Sequence, residues 1–134
     1  MTTHQDKQEI IASKTSDNVI LNMVELVNNN IVEISITLLV KGSWISGDLI
    51  SGKEYFELLS NEINDERKVL KDLYKQISEE IYSKGDDENK VIPLNYLHMK
   101  NISLLSDTGK ISQVNGGFLR VNIQEIDGHM LGRP

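Results

Sequence analysis

The feature that most constrains the fold is the alternating run IVEISITLLVK at positions 31–41. Val32, Ile34, Ile36, Leu38 and Val40 fall on one side of an extended chain, with Glu33, Ser35 and Thr37 on the other. Successive side chains of a strand leave opposite faces, so this pattern specifies a strand buried on one face. Lys41-Gly42-Ser43 supplies a short turn, and WISGDLIS reads as the returning strand of a hairpin. A hairpin with one apolar face needs a covering layer, and the flanking segments supply candidates.

Upstream, Asp17 is placed to cap a helix whose apolar positions are Val19, Ile20, Met23, Val24 and Val27. Asn28-Asn29-Asn30 ends it, because asparagine tolerates the left-handed conformation and competes for backbone hydrogen bonds. Residues 1–15 are polar and weakly periodic, and read as a flexible tail before a domain spanning 16–134. Downstream, Ser51-x-x-Glu54 has capping-box spacing, followed by an apolar stripe of Tyr55, Phe56, Leu59 and Ile63. A second stripe runs through Leu70, Leu73, Tyr74, Ile77 and Ile81. The polar Asn64-Asp65-Glu66-Arg67 between them fits either a bend or a turn, so one long helix and two short ones are both compatible with the pattern.

GDDENK at 85–90 is loop-like, and LNYLHMKNISLL resumes strand character. There Leu97 and Met99 oppose Tyr96, His98 and Lys100. Asp107-Thr108-Gly109 and Asn115-Gly116-Gly117 are turn sequences. In FLRVNIQEI, Leu119, Val121 and Ile123 alternate with Arg120, Asn122 and Gln124, and Asp127-Gly128 leads into a short final strand, HMLGR. The pattern predicts an α+β fold: an N-terminal helix, a small, strongly bent antiparallel sheet of about five strands, and a helical segment between strands 2 and 3.

The triplet Ile-Ser-Gly occurs twice, at 45–47 and 50–52. Ser51-Gly52-Lys53 stands at a predicted helix N-terminus, where free N–H groups favour anions. The fuller phosphate-loop spacing is missing, however, and Glu54 sets a carboxylate where the anion would lie. The structural reading is stronger: Gly47 permits a bend or a close neighbour, and Ser51 caps the helix.

Composition narrows the chemistry. The 134 residues include no cysteine, which excludes disulfides and thiolate metal sites and fits a reducing cytoplasm. Fourteen basic against twenty acidic residues give a net charge of -6, which opposes phosphate backbones. No apolar run approaches the roughly 20 residues that span a bilayer, and the N-terminus lacks the pattern of a secretory signal. His4, His98 and His129 have no ligand spacing, so no metal is expected. No G-x-S-x-G elbow is present. Asp48, inside an otherwise apolar strand, reads as outward-facing in preference to an acid of raised pKa. None of these features makes a convincing active site. Trp44, Phe118 and Arg120 are instead candidates for a contact surface, because tryptophan and arginine are enriched among interface anchors. The competing reading places the Trp44 ring in the core, with its N–H reaching a partner or water.

ITLLVKGSWISGDLISGKEYF at 36–56 resembles the hairpin-to-helix signature of the gas vesicle accessory protein U family. YLHMKNISLL and GGFLRVNIQEIDGHMLGR are similar to that family's closing pattern, with a terminal turn at Ile126-Asp127-Gly128-His129-Met130-Leu131-Gly132. The resemblance covers residues 20–134 and rests on order and spacing. It implies a cytoplasmic, non-enzymatic helper of gas vesicles, with shell or other accessory proteins as partners. It also implies action on assembly, surface properties or clustering, and no cofactor. A homo-oligomer is expected, with no nucleic acid and no membrane as partner. The element order also looks like an Sm-type small barrel, which makes a ring-forming or RNA-binding module the alternative; likeness of fold does not carry RNA binding with it.

Overall fold

A computed structural model of the chain describes residues 17–106, 110–113 and 117–134. The predicted tail, His4 and the turn at 107–109 lie outside the described residues. Helix α1 (Asn18–Asn28) is followed by strands β1 (Ile34–Val40) and β2 (Ser43–Ile50). Helices α2 (Gly52–Glu62) and α3 (Lys68–Glu80) come next, and then strands β3 (Tyr96–Leu105), β4 (Ile111–Gln113), β5 (Phe118–Asn122) and β6 (Gly128–Leu131). The architecture is α+β, as the pattern predicts. The added strand is β4, too short at three residues to show alternation.

The local signals act as read. Asp17 Oδ1 accepts the Val19 N–H at 2.8 Å and starts α1. Asn30, with φ 56°, takes the chain out of that helix in the left-handed conformation. Lys41 (φ 49°) and Gly42 (φ 80°) form a two-residue turn of the primed kind, whose twist matches the strands it joins. Ser51 Oγ accepts the Glu54 N–H at 3.0 Å. The reciprocal half of the box is absent, because Glu54 instead pairs with Lys100 Nζ at 3.4 Å. Val32, read as inward-facing, precedes β1 and is exposed.

The six strands form an open antiparallel sheet in the order β4-β3-β2-β1-β6, with β5 also paired to β3. It is not closed into a barrel of the Sm type. The outer side of β3 is divided: β5 pairs with Tyr96–Lys100 and β4 with Ser103–Leu105. Between those halves lies a bulge. Ser46 pairs with Ser103 but Asp48 with Lys100, so Gly47 faces both Asn101 and Ile102. Asn101 takes the left-handed conformation this bulge requires, with φ 54°. A Cβ on Gly47 would stand 2.9 Å from Met99 Cε and 3.0 Å from the Lys100 carbonyl oxygen. Gly47 therefore admits a close neighbour, which is the structural reading of the first triplet.

The sheet has apolar packing on both faces. On one, Ile20, Val24 and Val27 of α1 pack with Ile36, Leu38, Leu49, Leu97, Met99, Val121 and Ile123. On the other, Ile50, Tyr55, Phe56 and Tyr82 form a second cluster beneath α2 and α3. These are two helices joined by a 3-10 turn at Asp65–Arg67, not one long helix. Ser60 Oγ donates to the Lys71 carbonyl (3.1 Å) and Ser78 Oγ to the Lys53 carbonyl (2.9 Å), so the pair runs antiparallel. Small serines at those positions let the helices approach closely. Among the described residues, no helix is long and apolar enough to cross a membrane.

Candidate functional site

The second face of the sheet, opposite α1, is covered at one end and open at the other. At the covered end, register sets His98 beside Arg120. The helical hairpin lays Tyr55 and Phe56 over them, and Tyr82 follows α3. Gly52 makes this packing possible: a Cβ there would stand 2.2 Å from the Tyr82 ring. The second triplet thus serves the seam between α2 and Tyr82.

His98 is 2% exposed. Its ring centroid lies 4.8 Å from Tyr55, 5.2 Å from Tyr82 and 5.8 Å from Phe56. Burial pushes its pKa down from 6.5 to about 3, and the Arg120 charge adds to the effect. The imidazole is therefore neutral at pH 7. Arg120 Nε–H donates to His98 Nε2 at 3.2 Å, which assigns the imidazole proton to Nδ1. Arg120 Nη2 donates to the Tyr82 hydroxyl at 3.2 Å, and the guanidinium stands 3.6 Å from the Tyr96 ring centre. Burial also raises the Tyr55 pKa, with Tyr74 adding to that rise and Arg120 opposing it. A cleft of about 530 Å³ opens here between the helices and β3, lined by Tyr55, Phe56, Tyr74, Tyr82, Tyr96 and Arg120 among others.

The open end is built differently. Register aligns Leu39 with Trp44, Trp44 with Leu105, and Leu105 with Ile111. Four large apolar side chains thus form one row across β1, β2, β3 and β4. Leu39, Trp44 and Leu105 are half-buried, and Ile111 is 52% exposed. On the next row Met130 of β6, 51% exposed, lies beside Thr37.

Beside this row the same face is polar. Asp48 accepts from Ser35 Oγ (2.8 Å), Asn101 Nδ2 (3.0 Å) and Arg133 Nη1 (3.2 Å). Arg133 also donates to the Asn101 carbonyl and to Ser103 Oγ. Burial alone would raise the Asp48 pKa, but the hydrogen bonds from Asn101 and Ser35 and the Arg133 charge outweigh it and hold it below its ordinary value. Asp48 is thus an outward-facing, ionised carboxylate with satisfied partners.

The three candidate contact residues do not share one surface. Phe118 and Arg120 lie on β5 at the covered end, with Phe118 6.3 Å from Tyr55. Trp44 pairs with Leu105, five residues along β3 from the Phe118 partner Lys100, a separation on the order of 17 Å. The Trp44 ring belongs to neither apolar cluster.

The recess beside Ser51 offers little to an anion. Glu33, Glu54 and Glu57 line it together with Lys53, and Lys53 pairs with Glu57. Asn28 Oδ1 already accepts the Gly52 N–H at 3.2 Å. Among the described residues, no group of three histidine or carboxylate side chains is placed to hold a metal.

Sequence reasoning missed the partners of each candidate. Tyr82 and Tyr96 beside Arg120, Leu39 and Leu105 beside Trp44, Ile111 beyond Leu105, and Arg133 on Asp48 are brought in from other elements. Only strand register could have revealed the Trp44 row.

Residues 17–134 match the family model described as Gas vesicle protein GvpU-like. No curated protein and no solved structure matches the chain.

Proposed function

The chain belongs to the GvpU-like family of gas vesicle proteins, and on that premise we propose that it is a non-catalytic vesicle accessory protein that works by protein contact. In this reading it is cytoplasmic, binds the vesicle shell or other accessory proteins, and associates with its own copies to promote assembly or clustering. The observation that carries the reading is the apolar row of Leu39, Trp44, Leu105 and Ile111 on an open sheet.

A second copy of this chain fits the row. The sheet path ends at β4 and β6, and an end strand presents unpaired backbone groups that another strand can complete. Ile111 ends the row on one end strand; on the other the row meets Gly128, with the exposed Met130 on the neighbouring row. A face of this kind is self-complementary, and weak contacts repeated over many copies sum to strong clustering.

Sedimentation velocity over a range of concentrations tests the self-association, and co-pelleting with purified gas vesicles tests the partner. The expected result is concentration-dependent association that Trp44→Lys and Ile111→Lys both abolish while the circular dichroism spectrum is kept. A strict monomer at every concentration and salt condition sinks the self-association, and failure to pellet with vesicles sinks the accessory role. A mobility shift with single-stranded RNA at low salt would move the reading toward nucleic acid.

A further inference from the structure

The aromatic cleft at the covered end is separate from the Trp44 row, and its chemistry stands independently of it. Its volume of about 530 Å³ lies within the range of ligand-binding pockets. Aromatic rings dominate its lining, and Arg120 is the one charged side chain among the described lining residues.

Arg120 differs in its partners from the cations that form ion pairs. Lys53, Lys71, Lys100 and Arg133 each pair with a carboxylate. Arg120 pairs with none among the described residues: its two hydrogen bonds go to the neutral His98 ring and to the Tyr82 hydroxyl. Those bonds and the Tyr96 ring fix the guanidinium without cancelling its charge. A guanidinium has five N–H donors, so the Nη1 pair and the second Nη2 hydrogen remain for a ligand. Nη1 and Nη2 together present the parallel fork that a carboxylate accepts with both oxygens.

We propose that this cleft binds a peptide segment carrying a carboxylate beside a large apolar side chain, with the carboxylate on Arg120 and the apolar group among the rings of Phe56, Tyr74 and Tyr82. A nucleic acid strand could also stack on aromatic rings, but its backbone requires several cations along its path. The cleft supplies one, in a chain of net charge -6.

The test uses the full chain and two blocked pentapeptides, one with phenylalanine next to aspartate and one with asparagine in place of that aspartate. Nuclear magnetic resonance titration reads both affinity and location. The expected result is that the acidic peptide shifts resonances of Tyr74, Tyr82 and Arg120, and binds roughly tenfold or more tightly than its amide twin. Arg120→Gln should erase that discrimination, while Arg120→Lys keeps part of it through charge without the fork. Ile81→Glu provides a fold-neutral control, because Ile81 lines the cleft and is 44% exposed. Its new carboxylate should weaken the acidic peptide more than the amide twin. Equal affinity for the two peptides, no binding of either at millimolar concentration, or shifts confined to the Trp44 row would each overturn the proposal. So would an oligouridylate that binds the cleft more tightly than the acidic peptide.

Discussion

The two halves of β3 present the same sheet face to different surroundings. In the first half, Tyr96, His98 and Lys100 face the helical hairpin, and His98 is buried among aromatic rings. In the second half, Ser103 and Leu105 continue that face beyond the helices, where Leu105 joins Trp44 and Ile111 in the open row. The bulge at Asn101 separates them and changes which residues belong to the face. Strict alternation from His98 would put Ile102 and Leu104 on it; the extra residue sends Ser103 and Leu105 there instead. One strand thereby serves a packed site at one end and an accessible surface at the other.

Truncation on either side should break the symmetry most visibly. Phe56→Ala removes a side chain 5% exposed under the hairpin, and should cost about 3–5 kcal/mol in urea denaturation. Trp44→Ala, at the open end, should cost less, about 1–2 kcal/mol despite deleting a larger ring, because that residue is only partly buried and belongs to neither apolar cluster. Comparable losses from the two would show that the row is core and not surface.

Acid provides the next largest contrast. His98 stays neutral in the fold until pH falls to about 3, whereas in the unfolded chain it takes up a proton near 6.5. Between those values the unfolded state binds more protons, so stability is full above 6.5 and declines as pH falls toward 3. The decline attributable to His98 should amount to a few kcal/mol. In His98→Gln, which can still accept from Arg120, the slope of unfolding free energy between pH 6.5 and 4 should flatten. Matching slopes in the two proteins would show that His98 is not sequestered.

The bulge itself should tolerate little. Gly47→Ala should cost about 1–3 kcal/mol, since the new methyl meets both Met99 and the Lys100 carbonyl. Combining it with Met99→Leu, which shortens the flexible contact, should recover only part of the loss, because the carbonyl is backbone. Full recovery would mean that the strands can part at the bulge. The smallest effect belongs to the polar patch. Arg133→Ala should cost less than about 1 kcal/mol by thermal melting, and less still at high salt.

The helix caps at Asp17 and Ser51, the β1–β2 hairpin and the α+β class were legible in the sequence, because each is set by neighbours a few residues apart. Gly47 and Gly52 could be read as architectural, but not for what they adjoin. The Met99 side chain and the Tyr82 ring arrive from 52 and 30 positions away, respectively. Trp44, Phe118 and Arg120 were identifiable as candidate residues, and their division between two surfaces was not. That division depends on register, and register here turns on one extra residue at Asn101 whose left-handed conformation is fixed by its place opposite Gly47. Residue type and spacing determine which segments become helix or strand, since those preferences are local. Which side chains share a face is a non-local outcome, decided when the strands pair, the bulge forms, and the hairpin covers one end of the sheet.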